Sequence, residues 1–420
     1  MFNKKKKKGF FGITKWHILI IVIICLFLWA YNSQDRIAKK QYMKWRTYRE
    51  EEQYRVRPSD TIFVSIPSYR DPQCAWTVYD CLHKALGPHR IFIGVCQQNE
   101  QCDTFVEKEY PNLLIRRGHP QDNYESQIRI LNMNASEAQG PMYARARIEQ
   151  ELFQGERYYF MIDSHTWFFP AWDQFLIQML QDCPSSNPVL TMYPGNLNTR
   201  THRMFDTNYL RLLTRTPVCD YPAASYLRFL RFNSKSDLPE IQGPNSSRPR
   251  VGETPVQSSF WAACCSFSYS TMIQHVPFDP YYPFVFFGEE ISMAARLYTH
   301  GFDLFHPTFM VIRHQWSRED RHTFWEQFNQ PHNPVHKQRR QLEIQGYRRL
   351  RTLFGLQVLL PGDPPLLPMY SLGTHRTLQQ YEQYCGINFL SRQVTKKAKL
   401  GWTVFSDNEE MAMKDTPLDY

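Results

Sequence analysis

At 420 residues, with 42% hydrophobic and 15% aromatic content, the chain can bury one large core or two modest ones, which excludes an intrinsically disordered protein. Its formal charge of +9 is a poor guide to partners, because Lys4 to Lys8 and Lys15 supply six positive charges with no acid before Trp16. The later basic residues are scattered among acids rather than gathered on one stripe, so no nucleic-acid partner is expected.

In chain order, residues 1–15 read as a cytosolic tail and residues 16–31 as a transmembrane signal anchor. Sixteen residues are short for a span, but Phe10, Phe11 and Ile13 extend the apolar surface and Lys15 can snorkel. Trp16, Trp29 and Tyr31 suit the two interfaces, and the lysine run keeps the amino end in the cytosol, giving a single-pass type II protein. A cleaved signal peptide is the competing reading; Leu28, Trp29 and Tyr31 are too bulky for a cleavage site. Residues 32–60, charged and polar, read as a stem. Cys74, Cys81, Cys96 and Cys102 lie close together in sequence, and a bridge or two among them is left open. Asn134 and Asn245 begin glycosylation sequons.

The globular part, residues 61–390, opens with an apolar strand at 61–66 and a loop carrying Tyr69, Arg70 and Asp71. A helix over 73–86, stopped by Gly87-Pro88, and a strand at 90–95 complete a βαβ unit. That unit implies a parallel sheet with ligands at the carboxyl ends of its strands. There Arg70 can pair with phosphate and Asp71 with a base or ribose donor; a surface Arg–Asp turn is an equal alternative. Gly140-Pro141 starts another helix, in which Ala144, Ile148 and Leu152 form one buried stripe. Arg145 lies in its first two turns, where the helix dipole favours phosphate, although a lone helical arginine is often only solvated.

Residues 158–162 form a strand that stops at Asp163-Ser164-His165. A carboxylate and an imidazole two residues apart point the same way and can hold a divalent ion between them. Such an ion would neutralise the diphosphate that leaves when a sugar nucleotide is cleaved. The tripeptide also reads as a helix-capping aspartate beside a surface histidine. A helix at 170–180 and a strand at 189–193 follow, then a proline- and arginine-rich stretch at 197–254 assigned by elimination to an insertion over the open side of the sheet. Residues 259–269 read as a further strand in which Cys264 and Cys265 pack. Glu289 and Glu290 open a helix over 286–301, a position where acids most often serve as caps. A strand over 309–314 ends in His314, a candidate third metal ligand. The remainder is helical cover with a proline-rich break at 361–368 and a tail at 391–420.

Taken together and in this order, these stretches resemble the glycosyltransferase family that contains the polypeptide N-acetylglucosaminyltransferases. The resemblance is carried by residues 62–72, 90–95, 135–145, 158–165 with Trp172-Asp173, 287–301 and 314–318. It implies an α/β GT-A fold, Rossmann-like in its nucleotide half, and a retaining transfer from UDP-N-acetylglucosamine with manganese or a similar ion. The metal residues would be Asp163, His165 and His314. Ser65, Tyr69, Arg70 and Asp71 would lie where uridine rests, Arg145 near the diphosphate or sugar, and Glu289 and Glu290 toward donor sugar and acceptor. Thr166-Trp167-Phe168 stands where the family pattern has Met-Arg-Phe. The anchor departs from the family's cytoplasmic member and fits a Golgi enzyme acting on a polypeptide or glycan hydroxyl. Transfer of another UDP-sugar such as UDP-GalNAc, or an inactive anchored binding protein, are the rival readings.

Overall fold

A computed structural model describes residues 57–196, 254–308, 310–317, 323–328, 335–395 and 398. All of them belong to one compact unit. The anchor and most of the stem, the stretch at 197–253, Asn245 and the tail beyond 400 lie outside the described residues. No helix among the described residues is long and apolar enough to cross a membrane.

The chain begins its sheet with β1 (Ile62–Tyr69), α1 (Cys74–Lys84) and β2 (Ile91–Asn99). It continues through α2 (Val106–Arg117), β3 (Ile128–Asn134), α3 (Pro141–Glu151) and β4 (Tyr158–Ile162). These four strands lie parallel in the order β3-β2-β1-β4. Burial of β1 and β4 on both faces explains their unbroken apolar runs. Gly94 in β2 is needed for packing: a Cβ there would sit 2.3 Å from Cζ of Phe63 and 3.2 Å from Cγ2 of Ile148 on α3. The strand order reverses between β1 and β4, and in open α/β sheets the crevice outside such a reversal takes the ligand.

After β5 (Thr166–Phe168), α4 (Trp172–Gln181), β6 (Pro188–Thr191) and β7 (Gly195–Asn196), the described chain resumes with β8 (Val256–Ser258) and β9 (Cys265–Tyr269). Then come α5 (Thr271–His275), α6 (Glu289–Thr299), β10 (Asp303–His306) and β11 (Ile312–His314). Helices α7 (Phe324–Phe328), α8 (Val335–Leu353) and α9 (Leu378–Cys385) follow. The main sheet finishes as β4-β9-β6-β10-β8, with β9 antiparallel to both neighbours and β8 antiparallel to β10. The expected parallel sheet is therefore mixed. A buried apolar run carries no record of strand direction, which is settled by where the preceding loop delivers the chain. Here β9 starts opposite the end of β4 (Ile162 faces Cys265), so the loop before it, Ala263 included, arrives at the ligand end.

A second, three-stranded sheet has the order β5-β11-β7. Its register pairs His314 with Thr166, directly after the Asp-Ser-His tripeptide. The helix at 286–301 is shorter than expected because Gly288 adopts φ 120° and acts as its N-cap. Helix α2 and strand β3 were not among the expected elements. All eight cysteines among the described residues are free thiols, so the bridges left open for Cys74, Cys81, Cys96 and Cys102 do not form. Cys74 and Cys81 are instead buried on α1 and Cys96 in β2, as apolar packing.

Candidate active site

Two features fix the loop that leaves β4. The Thr77 hydroxyl on α1 lies 2.8 Å from the Ser164 carbonyl and accepts the Thr166 N–H at 3.0 Å. The Thr166 hydroxyl donates to the Asp163 carbonyl at 2.8 Å. Asp163 thereby projects beyond the sheet, its side chain 27% exposed.

His314 Nε2 lies 3.0 Å from Oδ2 of Asp163, and the His165 and His314 rings are 4.5 Å apart at 70°. One ligating atom from each of Asp163, His165 and His314 lies within 4.8 Å of the others. A carboxylate with two imidazoles suits Zn²⁺, Mn²⁺ or a similar divalent ion. His165 Nδ1 is held by Oδ2 of Asp71 at 2.7 Å, which leaves Nε2 as its ligating atom. Metal-binding histidines are habitually oriented by such a carboxylate. The ring of Trp316 backs His314 at 4.0 Å, and its Nε1–H donates to the Pro194 carbonyl at 3.1 Å. The residues present therefore fit a divalent metal.

Asp163 also accepts from Nη2 of Arg145 at 3.1 Å, and the other arm of that buried guanidinium bonds Glu289. Burial by itself would raise the Asp163 carboxyl. The His314 hydrogen bond and the nearby charges of His314, Arg145 and His165 outweigh it and hold the group well below the usual carboxylate range. Glu290 is the opposite case. Burial pushes it up to about 7, against the hydrogen bonds it accepts from Tyr193 Oη and from the Ala263 N–H at 3.1 Å.

A cavity of about 150 Å³ opens beside this cluster. Asp163, Ser164, His165, Asp71 and Arg145 line it, as does the start of α3 at Gly140-Pro141. Tyr69, Gln98, Phe286, Phe324 and Trp325 line it too, with Pro67 and Thr323.

Of the residues singled out in the sequence, Asp163, His165 and His314 converge, and Tyr69, Asp71 and Arg145 meet them around the cavity. Others are placed differently. Both oxygens of Asp71 are engaged inside the protein: Oδ1 accepts the Gln73 N–H at 2.9 Å, Oδ2 the Ser164 hydroxyl and His165. Arg70 is paired within the protein. Its guanidinium pairs with Asp103 at 2.8 Å and Glu100 at 3.1 Å, and its φ of 47° makes the kink that sends Asp71 inward. Ser65 is fully buried mid-strand, and neither it nor Glu289 nor Glu290 lines the cavity. Gln98, Phe286, Phe324 and Trp325 escaped sequence reading. Gln98 alone had a signal: it is a polar residue at the carboxyl end of a parallel strand, as Asp163 nearly is.

A family model, glycosyltransferase (GlcNAc), matches residues 61–391. The chain belongs to that family. No curated protein sequence matches it. Among solved structures, this glycosyltransferase is similar to GalNAc-T7 crystallised with UDP, GalNAc and Mn2+, at 12% identity over 70% of this chain and 48% of that one, TM-score 0.44. It thus spans about half the length of that relative. It is also similar to the mannosyltransferase PcManGT from Pyrobaculum calidifontis in complex with GDP-Man and Mn2+, at 11% identity over 78% and 82%, TM-score 0.37. A third likeness is S. aureus TarS 1-349, at 12% identity over 70% and 72%, TM-score 0.35.

Proposed function

We propose that this protein is a metal-dependent GT-A-type glycosyltransferase that moves N-acetylglucosamine from UDP-GlcNAc to a hydroxyl of a polypeptide or glycan, with retention at the anomeric carbon. The observation that carries the proposal is the convergence of Asp163, His165 and His314 at the β1/β4 strand reversal, in a chain whose globular part matches a GlcNAc-transferase family. A divalent ion bound there, Mn2+ in this proposal, would supply positive charge against the departing diphosphate.

The chain's own residues do the rest. Asp71 sets the tautomer and angle of His165, and Arg145 steadies Asp163 by holding Oδ1 while Glu289 neutralises the guanidinium. The amino end of α3 lines the cavity at Gly140-Pro141, where the helix dipole would favour a phosphate. Thus Arg145 and Glu289 act through Asp163, while the helix end binds the donor. A membrane-anchored, lumenal Golgi placement belongs to the same proposal and is supported by the sequence of residues 4–31 alone.

Full-length protein incubated with a panel of UDP-sugars, with and without manganese, tests this directly through release of free UDP. Turnover confined to UDP-GlcNAc plus manganese is the expected result. Preference for UDP-GalNAc would replace the donor and keep the site, whereas no metal-stimulated release from any UDP-sugar would overturn the enzymatic reading.

A further inference from the structure

The two imidazoles of the candidate metal site stand on different elements, and the strand pairing that joins those elements ends beside them. The last rung between β11 and β5 sets His314 opposite Thr166, and His165 lies one residue earlier, on the loop between β4 and β5. Beyond that rung the two segments are joined by Gln315. Its N–H donates to the His165 carbonyl at 3.1 Å. Its side chain is largely buried, and Oε1 accepts from Nε2 of Gln73 at 2.7 Å, across 242 positions of the chain. Gln73 is the N-cap of α1, and its own N–H donates to Oδ1 of Asp71 at 2.9 Å. The other oxygen of Asp71 holds Nδ1 of His165 at 2.7 Å, which closes a circuit of four hydrogen bonds.

We propose that Gln315 and Gln73 are a positioning pair for the metal site: their amide–amide bond fixes the spacing of His165 and His314, and so sets how tightly a divalent ion is held. This rests on the metal reading of Asp163, His165 and His314 and adds the two residues that keep the histidines in register. His165 is gripped twice, by Asp71 at the imidazole and by Gln315 at the main chain. Gln315 also directly follows His314 in the chain, so displacing it disturbs both ligands. A metal site needs its ligating atoms within about 0.2 Å of their ideal distances, and loss of an outer contact that orients them costs about 10-fold or more in affinity. Both amides are neutral. Removing them changes no charge, so an effect on the ion is one of position.

Manganese affinity of the full-length protein, read by paramagnetic resonance without donor, is measured beside the urea midpoint in Gln73→Met, Gln315→Met and the double variant. Each single change takes the partner from an amide inside the protein and should lower the midpoint, whereas the double change removes both partners and should restore much of it. Affinity should not follow that recovery. All three variants should bind manganese about 10-fold more weakly than wild type, the double no more weakly than the worse single, because each breaks the same bond. Wild-type affinity in the double variant would make the pair structural only, and losses that multiply in it would show two residues acting separately; either overturns the proposal. Should Gln315→Met not fold, Gln73→Met breaks the bond from the other side, and wild-type affinity there overturns it equally. Absence of manganese binding to the wild type would instead overturn the metal reading, and this proposal with it.

Discussion

Asp163 and Asp173 are ten residues apart, each beside an arginine, yet they do opposite work. Asp173, in the first turn of α4, is fully buried and saturated: Oδ1 accepts the Leu86 N–H at 2.7 Å, and Oδ2 the Gly87 N–H at 3.0 Å and Arg90 at 2.8 Å. Every one of its partners is a donor that ties the α1–β2 loop to α4. Asp163 is paired with Arg145 and His314 but keeps 27% exposure, and it borders a cavity that a second histidine also lines. A carboxylate whose lone pairs are all used within the fold is structural. One held in place from one side and open on the other is poised for a ligand.

The sharpest way to break that contrast is to remove the charge at each position. Asp163→Asn should lower metal-stimulated UDP release by about 10³-fold or more, since it deletes a ligand and the charge opposite the histidines. Its urea midpoint should also fall, because the depressed Asp163 carboxyl contributes stability at neutral pH, but by less than that of the next variant, because Glu289 still neutralises Arg145. A variant that retained turnover would show that Asp163 is not at the reactive centre. Asp173→Ala should do the reverse, losing about 3–5 kcal/mol of stability by stranding the buried Arg90 charge. Urea denaturation of the two variants side by side measures the difference.

A smaller effect sharpens the comparison from the supporting side. Asp71→Asn should weaken manganese binding by about 10- to 100-fold, read by paramagnetic resonance without any donor present. Loss of stability with unchanged metal affinity would make Asp71 a structural turn residue instead. The smallest effect concerns Glu290, raised by burial from 4.5 to about 7. A carboxyl raised in the folded state stabilises the fold below the ordinary glutamate range, and that contribution is lost as pH rises through about 7. The wild-type urea midpoint should therefore fall between about pH 5 and about pH 8 by more than that of Glu290→Gln. Parallel profiles would show that Glu290 is not protonated in the native state.

Much of this molecule was legible in residue order. The strand at 158–162, the helix begun by Gly140-Pro141 and the acidic start of α6 each carry local signals that tertiary contacts did not override. The Asp163–His165 spacing also has a local meaning, because two residues along an extended chain share a side. What the sequence by itself determined was therefore the run of elements and the pair of residues that the end of β4 offers to a metal.

The tertiary structure alone decided the rest, because it depends on partners far away in the chain. His314 reaches Asp163 across 151 positions through the pairing of β11 with β5. Arg70 and Asp71, side by side at the end of β1, are each paired by a distant residue: Asp103 holds Arg70 and His165 holds Asp71. Local chemistry names the polar groups at the end of a sheet, but only packing decides which of them remain for a substrate.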